Sequence, residues 1–334
     1  MGVRGGLALL GVVWVLAAGR AAAAEGAVEL RMATVAPQGS AWAKAFDKGA
    51  REVERETAGR VKLKYFYGAA QGGERDVVRK LRQGTLDGAA VTAVGLGLIK
   101  GSVRVLELPF LFRSDAELDH VRRAMQPELE QELDDAGFVL LGWGDVGWIH
   151  FLSNRPVTKV TDLAQMKIWA WLDDPIVRAL LRRIGVAGVP LDVPDVLSSL
   201  QEGVIDACYG SPLAALAFGW HGEVRYAADR PIAYGVGALL VRKESWARVS
   251  EADQAVVRTI SRKMEAELQK ALRAGHARAK KAMVKAGVKF TVTPPATVAE
   301  FEEAGRGVWE DLADQVYSRA LLDTLLARLA EVRK

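Results

Sequence analysis

Cysteine is almost missing from this sequence of 334 residues, since Cys208 is the only one. A single cysteine cannot form an internal disulfide, and it cannot supply a cysteine-based zinc cluster. The four histidines show no metal-ligand spacing, and Cys208 has no neighbouring base in the sequence. We therefore expect no bound metal, no cofactor and no catalytic thiol, and we expect Cys208 to be a small buried residue.

An excess of one charge is also lacking, because 45 Lys and Arg residues face 41 Asp and Glu residues, for a net charge of +4. This balance argues against nucleic acid as a partner. With 50% hydrophobic and 26% charged residues, the composition is that of a chain that can bury a large core. The length favours about two domains.

Long hydrophobic runs are scarce. The longest, residues 7–18, follows Arg4 and precedes four alanines at positions 21–24. It is too short to cross a bilayer as a helix, which needs about 20 apolar residues, and its flanks are typical of a secretory leader. We predict that residues 1–24 are a signal peptide cleaved near Ala24, and that the rest of the chain is exported.

The sequence does contain a regular alternation of strand-like and helix-like segments. Apolar residues alternate or recur at three- and four-residue steps as expected for strands and helices, respectively. The first five segments, with a helix cap expected at Ser40, cover residues 28–35, 41–57, 61–67, 74–83 and 88–93. This pattern predicts an α/β fold with mostly parallel sheets covered by helices, whose ligand sites lie at the carboxyl ends of the strands.

Two long segments predict how the chain is divided. Residues 138–153 form an extended candidate longer than a usual strand, which could cross between domains. Residues 250–287 predict a helix of roughly 57 Å at about 1.5 Å per residue, long enough to run along both domains. The expected division is a first lobe of residues 25–143 and 232–249, a second lobe of residues 144–231, the long helix 250–287, and a C-terminal strand and helix in residues 288–334 that pack on the lobes.

Several short segments occur in an order typical of one protein family. They are Ala33-Thr34-Val35, Gln71-Gly72-Gly73-Glu74-Arg75, Leu86-Asp87-Gly88-Ala89, Leu108-Pro109-Phe110-Leu111-Phe112, Asn154-Arg155-Pro156-Val157, Met166-Lys167-Ile168, and Leu200-Gln201-Glu202-Gly203-Val204-Ile205-Asp206. From about residue 28 to about residue 320, the chain resembles the solute-binding subunits of tripartite ATP-independent periplasmic (TRAP) transporters, of the dicarboxylate-binding (DctP) type.

The resemblance implies a two-lobe periplasmic binding protein with crossing strands and a long shared helix, which closes on one small-molecule ligand between its lobes. It also implies delivery of that ligand to the TRAP membrane permease subunits. Whether an accessory periplasmic protein takes part stays open.

One departure from the family concerns its charged clamp. The resemblance implies a carboxylate-binding arginine in a Lys-Ile-Arg sequence, and this chain has Lys167-Ile168-Trp169. A second family arginine corresponds to Ile149, and a family polar residue aligns with Gly210 or Ser211. Since a desolvated carboxylate is costly unless it is paired, we expect a ligand with a substantial hydrophobic portion.

Aromatic residues concentrate in the same region, where they offer large, rigid apolar surfaces to a ligand. They are Trp143, Trp148, Trp169, Trp171, Tyr209, Phe218 and Trp220. For each tryptophan separately, a place in the ordinary core is the competing interpretation. The expected ligand-binding residues are Trp169, Ile149, Trp148, Trp171, Tyr209, Ser211, Glu74, Thr92, Phe110 and Gln38. Asp173 and Asp174 are expected to cap the helix that begins at Pro175.

Three alternatives remain. Arg75, Arg104 or Arg155 could supply a substitute cation, in which case the ligand is a conventional small organic acid. The same cleft could serve a periplasmic ligand sensor. An exported enzyme is the third alternative, but we find no catalytic constellation in the sequence and expect no enzymatic activity.

Overall fold

The computed structural model describes residue 2 and residues 26–333 of the chain. The predicted signal peptide therefore lies outside the described residues, apart from Gly2. None of the helices in residues 26–333 combines the length and the apolar character that a membrane crossing requires.

Strands and helices alternate through the first half of the chain. They are β1 (Val28–Ala33), α1 (Ala41–Glu56), β2 (Val61–Phe66), α2 (Glu74–Arg82), β3 (Gly88–Thr92), α3 (Ala93–Ile99), α4 (Asp115–Asp135) and β4 (Phe138–Ser153). Ser40 accepts a hydrogen bond from the Ala43 amide and caps α1, as predicted. The predicted long strand has the predicted bounds.

The second half begins with short elements and ends with long helices. The elements are β5 (Ile168–Trp171), α5 (Pro175–Arg183), β6 (Gly188–Leu191), α6 (Val196–Gln201), β7 (Ala207–Gly210), α7 (Pro212–Ala217), β8 (Tyr226–Ala228), β9 (Ala233–Arg242), α8 (Lys243–Trp246), α9 (Glu251–Lys285), β10 (Lys289–Thr291), α10 (Pro295–Leu312) and α11 (Arg319–Val332). The prediction of a single C-terminal helix is wrong, because residues 313–318 interrupt it and the chain forms two helices, α10 and α11.

Two sheets share the strand β4. In the first sheet the order is β2-β1-β3-β9-β4, and in the second sheet β4 continues through β7 and β5 to β6, with β8 and β10 on its other side. Residues Phe138 to Ile149 of β4 pair with β9, whereas His150 to Ser153 pair with β7. Within the part that pairs with β9, the register shifts between Leu140 and Gly142 and again between Asp145 and Gly147, and the φ of 102° at Gly147 suits glycine.

The outer strand pairs are parallel, as the alternation predicts: β1 with β2 and β3, and β5 with β6 and β7. The strands that connect the sheets are antiparallel, since β9 pairs antiparallel with β3 and β4, and β4 with β7. Antiparallel pairing is the geometry of a strand that leaves one lobe and a strand that returns to it.

The long helix α9 packs on both halves of the molecule. Val257 and Ile260 join the hydrophobic cluster of the first sheet, and Met283 joins the cluster that contains Trp169 and Trp220 in the second. Ser250 caps α9, and Gly287 follows its end with a φ of 101°. At about 1.5 Å per residue its 35 residues span roughly 52 Å.

Candidate functional site

Three adjoining cavities lie where the two sheets meet. The cleft cavity has a volume of about 130 Å³ and is bordered by both sheets, through Thr92 of β3 and Trp169, Trp171 and Tyr209 of the second sheet. The sheet cavity, of about 110 Å³, shares Val35, Thr92, Val146, Ala214 and Phe218 with it. The rear cavity, of about 70 Å³ between the second sheet, α5 and α10, shares Val177, Leu180, Tyr209 and Ile232 with the cleft cavity.

A stack of aromatic rings forms one wall of the cleft cavity. Trp169 stacks on Tyr209, whose ring centroid is 4.5 Å away, and on Trp171, at 5.7 Å. Trp220 meets Trp169 edge-on at 5.5 Å and stacks on Phe218 at 5.0 Å. Offset and edge-on rings at these spacings attract each other beyond their buried area. The stack is therefore a rigid apolar surface.

Hydrogen bonds fix the two indoles of β5. Trp169 is only 1% exposed, and its Nε1 donates to the Leu191 carbonyl at 3.0 Å. Trp171 is half-buried, and its Nε1 donates to Asp192 Oδ1 at 2.9 Å. Trp169 thus belongs to the core of the second sheet and also borders the cleft cavity.

The other two positions of the family clamp also border the cleft cavity. Ile149 of β4 and Gly210 of β7 both line it. Ser211, by contrast, is fully buried, and its Oγ accepts from the Ala214 amide as the cap of α7. Of the two residues that could align with the family's polar group, Gly210 faces the cavity and carries no side chain to replace it.

One cation, Arg104, lies in the cleft wall and is held by two carboxylates. Its side chain is 2% exposed, with Nη1 at 2.5 Å from Glu107 and Nη2 at 2.7 Å from Asp174. Asp174 Oδ1 also accepts from the Ile176 and Val177 amides, so the predicted cap of α5 is confirmed. Burial raises the pKa of Glu107 to about 7, although Arg104 opposes this. The pairs with Asp174 and Glu107 therefore balance the charge of Arg104 within the protein.

Glu74 and Thr92 form a second polar group at the junction of the cleft and sheet cavities. Glu74 is buried, and its carboxyl oxygens accept from the Thr92 amide at 2.7 Å, the Thr92 hydroxyl at 2.8 Å and the Gly95 amide at 2.6 Å. Burial raises the pKa of Glu74 to about 7, and those three donors work against the rise. Both residues line a cavity, and Thr92 also caps α3.

Five of the expected binding residues do not line the cleft cavity: Ser211 and Glu74, described above, and also Trp148, Phe110 and Gln38. Trp148 precedes Ile149 on β4, and successive side chains of a strand point to opposite faces; its Nε1 donates to Asp115 at 2.9 Å on the outer side. Phe110 stacks on Phe301 at 6.3 Å and borders the rear cavity. Gln38 is exposed, outside all three cavities within the described residues.

Charged contacts join the two lips of the cleft. Arg75 of α2 pairs with Asp173, which follows β5, through Nε to Oδ2 at 2.9 Å and a second contact from Nη2 to Oδ1. Asp192 approaches the start of α2 so closely that a Cβ at Gly73 would overlap its carboxylate. These contacts connect elements of the two sheets, and the cleft is therefore closed in this structure.

Sequence comparison places this arrangement in a known family. The family described as bacterial extracellular solute-binding protein, family 7 (DctP), matches residues 32–315. The chain belongs to the DctP family. A solute-binding protein of Verminephrobacter eiseniae is 29% identical over 239 residues, 70% of this chain and 69% of that protein. One of Chromohalobacter salexigens is 27% identical over 252 residues, 74% of each.

Solved structures show the same two-lobe fold. DctPAm of Advenella mimigardefordensis, in complex with galactonate, superposes with a TM-score of 0.86 at 18% identity, covering 92% of this chain and 99% of that one. DctP7 of Bordetella pertussis, a receptor binding pyroglutamic acid, gives a TM-score of 0.85 at 21% identity, with 91% and 100% covered. This chain is thus an extracellular solute-binding protein of the DctP family and not an enzyme, and the two-lobe fold expected from the resemblance is confirmed.

The sequence analysis missed one polar residue of the DctP cleft, Glu107, and assigned only one of two roles to another, Asp174. Glu107 was not predicted, because nothing in its local sequence distinguishes it from a surface acid. Asp174 was predicted as a helix cap only, and its pairing with Arg104 joins residues 70 positions apart. Within residues 26–333 no three His, Cys, Asp or Glu side chains gather as a metal site would need. Cys208 is buried in β7, and burial raises the pKa of its thiol.

Proposed function

We propose that this receptor captures a ligand with a substantial hydrophobic portion in the cleft cavity and delivers it, in the periplasm, to the membrane permease subunits of a TRAP transporter. The observation that carries the proposal is that the aromatic wall of Trp169, Trp171 and Tyr209 lines the same cavity as Ile149. The family resemblance implies arginine at two of these four positions, those of Trp169 and Ile149. Closing on the ligand is the step that selects it, because only a ligand that contacts both lobes stabilises the closed state.

The lining of the site supports a ligand with an extended apolar part. The cleft cavity is bordered mainly by apolar and aromatic side chains. It adjoins the rear cavity at Tyr209 and Ile232, and the rear cavity is lined almost wholly by apolar side chains such as Phe151, Leu180 and Phe301. An apolar chain that extended past Tyr209 would meet a further apolar surface.

The energetic gain from such a chain is substantial. Each CH₂ group removed from water contributes about 0.8 kcal/mol, which is close to a fourfold gain in affinity. A polyhydroxylated acid would gain little from the aromatic wall, and it would require hydrogen-bond partners that this wall lacks.

A small organic acid is the second candidate. Arg104 borders the cleft cavity, and solved relatives bind acids such as galactonate and pyroglutamic acid. This candidate requires Arg104 to exchange at least one of its carboxylate partners for the ligand.

Chain length at constant head group tests the proposal. The dissociation constants of butanamide, hexanamide and octanamide are measured with the purified protein by tryptophan fluorescence, with succinate and galactonate as hydrophilic comparisons. We expect affinity to rise about fourfold per CH₂ and octanamide to bind more tightly than either acid. No dependence on chain length, together with tight binding of succinate or galactonate, would contradict the proposal and favour the second candidate.

A further inference from the structure

The charged residues that border the cleft and sheet cavities are mostly acidic. Five carboxyl groups line the two spaces: Glu74, Glu107, Asp145, Asp174 and Glu265. Arg104 is the one cationic side chain among the described residues that line them. The site therefore presents an excess of negative groups to whatever it encloses.

Some of these carboxyl groups are neutralised from outside the cavities. Asp145 pairs with Arg122 at 2.6 Å and lies 3.6 Å from Arg273. Burial raises the pKa values of Glu74 and Glu107 to about 7, so each is partly protonated at neutral pH. Even with both of them uncharged, Asp174 alone balances Arg104.

Arg104 is already engaged by two carboxylates of the protein. One N–H of Nη1 donates to Glu107 and one N–H of Nη2 donates to Asp174, and the side chain is only 2% exposed. A ligand carboxylate clamped by this arginine would share it with both acids, and a bidentate clamp also needs two parallel N–H donors directed at the ligand. Nε is the nitrogen of Arg104 with no hydrogen-bond partner within the described residues, and its single N–H suits a hydroxyl or carbonyl oxygen.

Two other residues that border the cleft cavity, Asp174 and Tyr209, have unused acceptor and donor capacity. Asp174 Oδ1 accepts from Arg104 and from two backbone amides, while Oδ2 has no donor among the described residues. The Tyr209 hydroxyl accepts from the Trp171 amide at 3.1 Å, which leaves its proton free to donate. A group that both donates and accepts, such as a hydroxyl, an amide or an ammonium beside a carbonyl, complements these atoms.

We infer that the polar end of the ligand is uncharged or cationic, not a carboxylate, and that it binds at Arg104, Asp174 and Tyr209. This inference rests on the proposed function for the location of the site. It sets the chain apart from the structurally similar proteins with bound acids, because a ligand carboxylate would be a further anion beside an arginine that Asp174 already neutralises.

A head-group series at constant chain length tests the inference. The dissociation constants of octanamide, octan-1-ol, octylamine and octanoate are measured at pH 7.5. We expect each of the first three to bind at least tenfold more tightly than octanoate. Tighter binding of octanoate than of octanamide and octylamine, lost in Arg104→Gln, would overturn the inference.

Two variants locate the effect. Asparagine also caps helices well, so Asp174→Asn retains the start of α5. This variant should weaken the binding of octylamine at least tenfold and strengthen the binding of octanoate. Asp173→Asn is the matched control, because Asp173 pairs with Arg75 at the lip and does not line the cleft cavity. It should leave the head-group ranking unchanged, and an equal effect of both variants would overturn the assignment of Asp174.

Failure of the proposed function is distinguishable from failure of this inference. If no octyl compound binds, the polyol galactitol is compared with galactonate, which differs from it in carrying a carboxylate. Binding of galactitol in preference to galactonate would support the inference while the hydrophobic ligand is abandoned. Preference for galactonate would overturn both.

Discussion

Replacing Trp171 by alanine removes the half-buried part of the aromatic wall. One face of this indole packs toward Trp169 at 5.7 Å, and the ring borders the cleft cavity. If the ligand covers about 60 Å² of the ring, roughly 25 cal/mol/Å² gives about 1.5 kcal/mol, which is close to a tenfold change in affinity. We therefore expect Trp171→Ala to raise the dissociation constant of octanamide about tenfold, measured by calorimetry on protein whose circular dichroism is unchanged.

Trp309→Ala is the matched control for this prediction. Trp309 is also half-buried, and its Nε1 donates to the Pro109 carbonyl at 2.9 Å, the same length as the Trp171 bond to Asp192. It lines none of the three cavities. The control should lose comparable stability with less than a twofold change in affinity. An unchanged affinity in Trp171→Ala, or equal losses in both variants, would refute the binding role of the wall.

Three further predictions concern stability and closure. Trp169→Phe removes the bond to the Leu191 carbonyl and should lower the free energy of unfolding by about 1–3 kcal/mol, measured in urea. Asp173→Ala breaks the pair with Arg75, whose arginine side chain is exposed, and should weaken the binding of octanamide by no more than about fivefold, an effect that 0.5 M salt should reduce. Because burial raises the native pKa of Glu74 from 4.5 to about 7, the unfolded chain releases this proton first, so the free energy of unfolding should fall as pH rises between those values, by up to about 1.4 kcal/mol per unit.

Each of these predictions has its own control. If Trp169→Phe lowers the free energy of unfolding by less than about 0.5 kcal/mol, the hydrogen bond from the indole to Leu191 does not contribute measurably to stability. Asp311→Ala breaks the comparable pair with Arg183, which joins α5 to α10 and does not cross the cleft, so it should leave ligand affinity unchanged. Glu74→Gln should lose part of the pH dependence, and an identical slope in both proteins would show that another group causes it.

Long elements with a strong local pattern were predictable from the sequence. The strand 138–153 and the helix near 250–287 were located within two residues, because their apolar spacing alone specifies them. Helix α4 was missed although its apolar residues recur at helical steps, since Pro127 interrupts the pattern. Helix α3 contains two glycines and is held by tertiary contacts, such as the bond from the Gly95 amide to Glu74.

The break after α10 also had no clear local signal. Asp314 adopts a φ of 60°, a left-handed conformation that aspartate tolerates better than most residues. The Tyr317 hydroxyl donates to the Trp309 carbonyl and secures the turn from the far side. Both features depend on how the chain folds back, which apolar periodicity does not report.

The candidate site was predictable where the family order of segments fixes a position, and otherwise only in part. Trp169, Ile149 and Glu74 were chosen at positions that the resemblance locates, and each of them lines one of the cavities. Trp148 was chosen for its residue type, and the alternation of strand faces turns it away. The pairing of Arg104 with Glu107 and Asp174 depends on folding, so the neutralised arginine became visible only in the structure.

The identity of the natural ligand is the most direct test of a DctP receptor with an apolar cleft. The protein is purified from its own cells without refolding, examined by native mass spectrometry, and extracted with solvent so that the released compound can be identified. The account predicts an amphipathic molecule with an extended apolar part and no carboxylate at its polar end. Recovery of a small hydrophilic acid, with electron density placing its carboxylate on Arg104, would contradict it.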